Sequence, residues 1–124
     1  MRIATWNVER LQYRRQLSDL LGIIDKQRAD ILVLTETSDR LKPFYQHTFW
    51  TPKANEVIPD LYDDRENRVT IFSDYPSVGR YETFDQYTAI CVGLETPKGI
   101  LTVYGTIMGV FGNREKTFIL DLEK

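Results

Sequence analysis

Two short polar segments each follow an apolar run that is predicted to be a strand. Asn7 and Glu9 close the alternating residues 2–8, and Glu36 follows the continuous apolar run 31–34. Because the carboxyl ends of neighbouring parallel strands lie at one edge of an open α/β sheet, these three side chains are expected to converge. Carboxylate and amide oxygens are hard ligands that suit a magnesium ion bound to water and phosphate. The spacing alone leaves two interpretations, a Mg²⁺ site and the polar strand ends found in any α/β protein.

The elements around these residues predict a mixed α/β sheet. Residues 12–28 carry apolar side chains at helical spacing, which predicts an amphipathic helix between the two strands, in a right-handed β-α-β unit. Residues 69–72 predict a further short strand. Residues 88–95 and 100–106 flank a turn that contains proline and glycine, and they predict an antiparallel hairpin.

Two regions have no sustained hydrophobic period. Residues 39–64 contain three prolines and several aromatic residues, and we expect a short helix followed by a long loop there. Residues 114–124 carry large apolar residues among charges, which predicts a helix that the end of the chain interrupts.

Length and composition limit the class of protein. With 124 residues, 42% of them hydrophobic and 27% charged, the chain is expected to form one globular domain. A net charge of -2 gives no support for a strongly basic surface that binds nucleic acid. The only cysteine, Cys91, is expected to be buried, and no apolar stretch is long enough to serve as a signal peptide or a membrane span. We therefore expect a cytoplasmic protein with no membrane partner.

Other candidate residues receive more ordinary interpretations. No GxxxxGK[ST] or GxGxxG motif follows a strand, which excludes a nucleotide-binding P-loop. The only histidine, His47, lies among the prolines and is predicted to be a solvent or loop residue rather than a catalyst. Arg10, Arg14 and Arg15 follow the first strand, and they form either a solvated helix face or contacts to phosphate.

Four segments, in order and with matching spacing, resemble the opening motifs of the endonuclease/exonuclease/phosphatase family. They are residues 2–8 (RIATWNV), 29–37 (ADILVLTET), 69–76 (VTIFSDYP) and 99–106 (GILTVYGT). The resemblance implies an α/β fold in which two related sheets pack between outer helices. It also implies metal-dependent hydrolysis of a phosphoester, in nucleic acid or in a small phosphorylated molecule.

The resemblance also assigns roles to single residues. It makes Glu36 the principal Mg²⁺ ligand, with Mn²⁺ as an alternative ion, and Asn7 a polar partner at the metal and phosphate. Glu9 falls where some members place an aspartate, and it either reaches the metal or caps the next turn. Tyr104 matches a tyrosine that contacts phosphate in some members, or it is an ordinary aromatic residue in a strand. Asn7, Glu36 and Tyr104 are thus the expected catalytic residues.

The resemblance does not cover a complete active site. Members of the family add an Asp-x-Asn motif, a later asparagine and a C-terminal Asp-His pair, and none of these occurs in the 124 residues. We therefore expect residues 1–124 to be the N-terminal half of the domain and inactive alone. The alternative is a non-catalytic binding or interaction module with half of the fold. A lone half is expected to expose apolar strands such as residues 88–94, and to form a homodimer through that sheet face.

Overall fold

The structure of the protein, a computed structural model, describes residues 1–11 and 17–107. Within them lie seven strands, one α-helix and two short 3-10 turns. In chain order they are β1 (Ile3–Asn7), a 3-10 turn (Glu9–Leu11), α1 (Leu17–Lys26), β2 (Ile31–Ser38), β3 (His47–Trp50), a second 3-10 turn (Ala54–Glu56), β4 (Glu66–Ser73), β5 (Ser77–Tyr81), β6 (Ala89–Thr96) and β7 (Gly99–Thr106).

The first sheet is mixed, as predicted, with strand order β1-β2-β4-β3. Strands β1 and β2 are parallel, and their register places Asn7 opposite Thr35. Strand β4 is antiparallel to both β2 and β3. The parallel pair therefore brings the two polar strand ends to the same edge of the sheet.

Helix α1 covers one face of the first sheet. Leu20 and Ile24 are buried against Leu32, Leu34 and Phe72 of strands β2 and β4. Burying one such aliphatic side chain contributes about 1.5–3 kcal/mol, so this contact holds the helix on the sheet. In the part of the chain that the structure describes, no helix is long and apolar enough to cross a membrane.

The helix prediction is confirmed over Leu17–Lys26. Residues 12–16, which belong to the same predicted helix, and residues 114–124, with the second predicted helix, lie outside the described residues.

The second sheet, β5-β6-β7, is antiparallel and contains the predicted hairpin. It packs on the other face of the first sheet. The residues buried between the two sheets are Ile31, Val33, Val69 and Ile71 from the first sheet and Ile90, Val92 and Leu94 from the second. Both sheets of the sandwich are thus already present in this chain.

The expectation that residues 88–94 are exposed is therefore wrong. Ile90, Val92 and Leu94 are fully buried because the inner face of β6 lies against the first sheet. Cys91, expected to be buried, is only half-buried, because it lies on the opposite face of β6. A homodimer through residues 88–94 consequently has no exposed apolar face to use.

The expectation of a helix and a long loop over residues 39–64 is also wrong. The chain forms β3, which pairs with β4, and then a short 3-10 turn. His47 therefore begins a strand instead of lying in a loop. Thr48, Phe49 and Trp50 favour a strand, yet four residues are too few to give a clear period in the sequence.

Among the described glycines, Gly105 has the least space for a side chain, because it lies where β7 of the second sheet packs against the first sheet. A Cβ atom there lies 2.8 Å from Val69 Cγ1 and 3.2 Å from Val33 Cγ1. We predict that Gly105→Ala destabilises the protein by about 1–3 kcal/mol through overpacking, measured by urea unfolding.

Gly22→Ala is the matched control, because a Cβ atom on Gly22 of α1 has nothing within 4 Å. Alanine is expected to stabilise that helix by about 0.5–1 kcal/mol. A Gly105→Ala protein as stable as the wild type would contradict the close approach of β7 to β2 and β4.

Candidate functional site

Asn7 ends β1 and begins the turn that follows it. Its side chain is exposed, and its Oδ1 accepts a hydrogen bond of 2.8 Å from the backbone N–H of Glu9. The backbone N–H of Val8 donates to Thr35 O at 3.1 Å, which ties the turn to the end of β2. Asn7, and not Glu9, therefore provides the side-chain cap of this turn, and the Glu9 carboxylate is exposed nearby.

Glu36 interrupts the ladder between β2 and β4. Its neighbours Thr35 and Thr37 pair with Val69 and Asn67, whereas Glu36 itself has a φ of 51°. This left-handed conformation costs roughly 1–2 kcal/mol for a residue with a Cβ atom. The carboxylate is half-buried, with the Arg10 guanidinium and the Tyr62 phenol in its electrostatic environment.

Backbone strain is concentrated at these two strand ends. Among the described non-glycine residues, those with positive φ are Glu9, Arg10 and Leu11 in the turn and Glu36 in β2. Strained backbone persists only where the surrounding structure holds it, and it clusters at functional sites. The strain therefore marks the same place that the polar residue types indicate.

Arg10 holds the strained turn against β4. Its Nε donates to Glu66 Oε1 at 2.8 Å, and its Nη2 donates to Glu66 Oε2 at 3.1 Å and to Leu61 O at 2.6 Å. Glu66 is only 5% exposed, so the pair is largely buried. The hydrogen bond to Glu66 raises the pKa of the Arg10 guanidinium above its usual value. Arg10 is thus neither a solvated residue nor a ready phosphate contact, and Arg14 and Arg15 lie outside the described residues.

Tyr62 and Arg68 belong to the same cluster, and the sequence did not reveal them. Tyr62 is buried, the Arg10 guanidinium lies 4.7 Å from its ring centroid, and burial raises the pKa of its phenol. Arg68 lies on β4 between the partners of Thr35 and Thr37, which places it across from Glu36. Arg68 precedes the apolar residues of its strand, but only the pairing of β2 with β4 brings it to this site.

Tyr104 does not lie with the strand-end residues Asn7, Glu9 and Glu36. The register places it beside Cys91, while its neighbour Gly105 faces the first sheet. Tyr104 is 49% exposed on the outer face of the second sheet, where partial burial and then the Cys91 thiol raise the pKa of its phenol. The structure therefore brings Asn7, Glu9 and Glu36 to one edge of the first sheet and places Tyr104 on the second sheet.

His47 lies far from this edge. It pairs with Ser73, which also pairs with Ile31 at the beginning of β2, whereas Glu36 lies near the end of that strand. The interpretation of His47 as a residue other than a catalyst stays a prediction.

The donor set at the strand ends suits a metal ion that needs few protein ligands. Within residues 1–11 and 17–107, no group of three or more His, Cys, Asp or Glu residues could hold a metal ion. A structural zinc site is therefore not built from these residues. Magnesium usually takes one or two carboxylates and keeps several waters, which fits the Glu36 carboxylate and the Asn7 amide.

Solved structures of other proteins share this arrangement of strands. An endonuclease/exonuclease/phosphatase from Beutenbergia cavernae DSM 12333 matches with a TM-score of 0.67 and 18% identity, over 98% of this chain and 43% of that one. The endonuclease domain of TRAS1, a telomere-specific non-LTR retrotransposon, matches with a TM-score of 0.59 and 13% identity, over 98% of this chain and 52% of that one. The chain has a DNase I-like fold.

The DNase I-like fold confirms the architecture that the sequence resemblance implied. At identities of 18% and 13% the likeness shows the fold and not the activity. The chain spans about half the length of these two proteins. No protein-family model matches the sequence, and no curated protein matches it.

The strain at Glu36 predicts an unusual effect on stability. Glu36→Gly is expected to stabilise the protein by about 1 kcal/mol in urea unfolding, because glycine adopts positive φ without a Cβ clash. Glu95, an exposed residue in β6, gives the matched control. Glu95→Gly is expected to cost about 0.5–1 kcal/mol, because glycine weakens a regular strand. If Glu36→Gly loses more stability than Glu95→Gly, the strained conformation is wrong.

Proposed function

We propose that this chain supplies the metal-binding part of a divalent-metal-dependent phosphoester hydrolase of the nuclease or phosphatase type. The observation that carries the proposal is the left-handed backbone at Glu36 and at the turn after Asn7, on adjacent parallel strands. Strain at two neighbouring strand ends is expected where side chains must point at a common ligand. The DNase I-like fold, shared with proteins described as nucleases or phosphatases, supports the same class of reaction.

In this proposal Glu36 and Asn7 hold a Mg²⁺ or Mn²⁺ ion. The ion offsets negative charge on the phosphate oxygens and so favours attack by water. Asn7 Oδ1 accepts one hydrogen bond from Glu9 and keeps a second lone pair for a ligand. The exposed Glu9 carboxylate adds negative charge at the edge of the site and serves as a further ligand.

Two other residues are proposed to contact the phosphate. Arg68 lies across from Glu36, and a guanidinium donates paired hydrogen bonds to phosphate oxygens. The contact of Tyr104 with phosphate stays a prediction, because its phenol reaches a phosphate only if the substrate extends to the outer face of β7.

We also propose that residues outside this chain complete the active site. The Asp-x-Asn and Asp-His motifs are absent from the 124 residues, and about half of each similar structure has no counterpart in this chain. The chain alone therefore binds metal and performs little hydrolysis.

A non-catalytic binding module is the second candidate function. It is favoured by the lack of a three-residue His, Cys, Asp or Glu cluster within the described ranges. A measurement of metal binding distinguishes the two functions, because only the proposed hydrolase requires the Glu36 carboxylate to bind a metal ion.

We predict that the protein binds Mn²⁺ and that Mg²⁺ displaces it, as measured by the relaxation of water protons. Glu36→Gln removes the charged ligand and is expected to weaken Mn²⁺ binding by at least about tenfold, the cost of losing even a supporting contact at a metal site. Glu95→Gln, the same change at an exposed position of β6, is expected to leave binding unchanged. Bis(p-nitrophenyl) phosphate is expected to be hydrolysed very slowly by all three proteins.

Two outcomes would contradict parts of this proposal. Mn²⁺ binding that survives Glu36→Gln removes the metal-binding role and favours the binding module. Rapid hydrolysis by the wild type that Glu36→Gln abolishes shows that the chain is complete as an enzyme.

Self-association remains part of the proposal, through a different surface from the one first expected. Strand β1 is an edge of the first sheet, and Ile3, which shares the inner face with Ile31, is 56% exposed. Uncovered strand edges with apolar side chains favour pairing with another chain. We predict a homodimer by sedimentation velocity, and a shift to monomer in Ile3→Lys. Ile100→Lys, on β7 of the second sheet, is the control, and an equal shift there argues against pairing through β1.

A further inference from the structure

A cleft of about 420 Å³, lined mainly by β3, β4 and residues 39–43, opens on the outer face of the first sheet. Strand pairing places Thr48 beside Phe72 and Leu32, and Trp50 beside Thr70 and Leu34. All of these residues therefore lie on the face of the sheet that carries α1. The helix packs over β2 and reaches Phe72 of β4. The outer face near β3 is therefore left partly open, and this opening is the cleft.

The cleft has an apolar floor and an exposed aromatic side. Phe72 and Leu41 line it and are buried, whereas Trp50 lines it and is 53% exposed. An exposed indole beside a buried apolar surface is suited to stack against a flat aromatic ring. The volume lies within the range of small-molecule sites, about 300–1,000 Å³.

The edge of the cleft carries an excess of positive charge. Lys53 Nζ donates to Asp39 Oδ2 at 2.9 Å, and Arg65 Nε donates to Asp39 Oδ1. The hydrogen bond from Lys53 lowers the pKa of Asp39, which keeps its carboxylate ionised. Lys42 also lines the cleft, is exposed and has no ion pair within the part of the chain that the structure describes. Two cations, Lys42 and Lys53, thus line the cleft with one carboxylate, Asp39, in a chain of net charge -2, and this local excess of positive charge favours an anionic ligand.

A directional polar group lies within the cleft. Asn67 Nδ2 donates to Thr70 Oγ1 at 2.7 Å, and both residues line the cleft. Because Thr70 Oγ1 accepts this hydrogen bond, its hydroxyl proton is left to donate to a ligand acceptor. A ring nitrogen or carbonyl oxygen is the kind of acceptor that this donor fits.

We propose that this surface, the Trp50 cleft, binds a nucleoside monophosphate, with the base stacked on Trp50 and the phosphate beside Lys42. The stacking surface, the hydroxyl donor and the cationic edge each match one part of such a ligand. This site is separate from the strand-end site at Glu36 and requires no metal, so it goes beyond the proposed hydrolase.

Adenosine 5′-monophosphate (AMP), titrated in the presence of EDTA, tests the proposal. The chain has two tryptophans, so Trp6→Phe leaves Trp50 as the only indole whose fluorescence is observed. Saturable quenching by AMP is expected. Adenosine is expected to quench with several-fold weaker affinity, and ribose 5-phosphate is expected not to quench.

Two variants divide the contributions of stacking and charge. Trp50→Leu is expected to weaken AMP binding by at least about fivefold, the lower limit for losing one base–aromatic stack, as followed by saturation-transfer NMR of the adenine protons. Lys42→Gln is expected to weaken AMP binding towards that of adenosine and to leave adenosine binding unchanged. Lys98→Gln, at an exposed lysine in the β6–β7 turn, is the matched control and is expected to bind AMP like the wild type.

The outcomes separate this site from the strand-end site. No saturable AMP binding, or AMP binding unchanged by Trp50→Leu, overturns the proposal. If AMP binding in EDTA is lost in Glu36→Gln and kept in Trp50→Leu, the ligand binds at the strand ends. That result overturns the proposal for the Trp50 cleft and does not contradict the proposed hydrolase. If Trp50→Leu fails to fold, as judged by its circular dichroism spectrum, the exposed Lys42→Gln variant decides, and equal AMP affinity in it and the wild type overturns the proposal.

Discussion

Burial of β2 on both faces is the constraint on which the rest of the structure depends. Leu32 and Leu34 pack against α1, while Ile31 and Val33 pack against the second sheet. The register of a strand with buried faces is strongly specified, because a slip of one residue exchanges the side chains on its two faces. The first polar residues after this apolar run therefore have a fixed position, and Glu36 is brought beside the end of β1 as a consequence of core packing.

Strain at the strand ends requires a compensating interaction, and Arg10 provides it. Each left-handed residue costs roughly 1–2 kcal/mol, and the turn contains three of them. Breaking a buried, hydrogen-bonded ion pair costs about 3–5 kcal/mol, which is comparable in size to that strain. The contacts of Arg10 with Glu66 and Leu61 O thus hold a turn that its own backbone preferences oppose. Because Glu66 neutralises Arg10, the ion pair supports the site without cancelling the charge of Glu36.

The sequence predicted the elements that show a clear hydrophobic pattern and missed β3 and β5. The helical period of α1, the apolar run 31–34 of β2 and the two strands of the β6–β7 hairpin are recognisable in the sequence, and the structure confirms them. Strands β3 and β5, of four and five residues, show no such pattern. Asn7 and Glu36 could be proposed from the sequence because each follows a recognisable apolar segment. Arg68 and Tyr62 were missed because only the pairing of β2 with β4, some thirty residues apart, brings them near Glu36. The burial of residues 88–94 was also missed, because alternation shows that a strand has an apolar face but not which layer covers it.

The end of β2 presents two carboxylates, three residues apart, in opposite electrostatic environments. Asp39 is bonded to both Lys53 and Arg65, so its surroundings carry more positive than negative charge. At the strand ends, the three carboxylates of Glu9, Glu36 and Glu66 accompany two cations, Arg10 and Arg68, so net negative charge remains beside the Asn7 amide. Coulombic attraction therefore favours a cation at Glu36 and an anion at the Trp50 cleft, although the two sites share one strand. Regular alternation places residues three apart on opposite faces of a strand, and the left-handed backbone at Glu36 also interrupts the pairing of β2 with β4. The end of one strand thus positions two proposed sites that favour ligands of opposite charge.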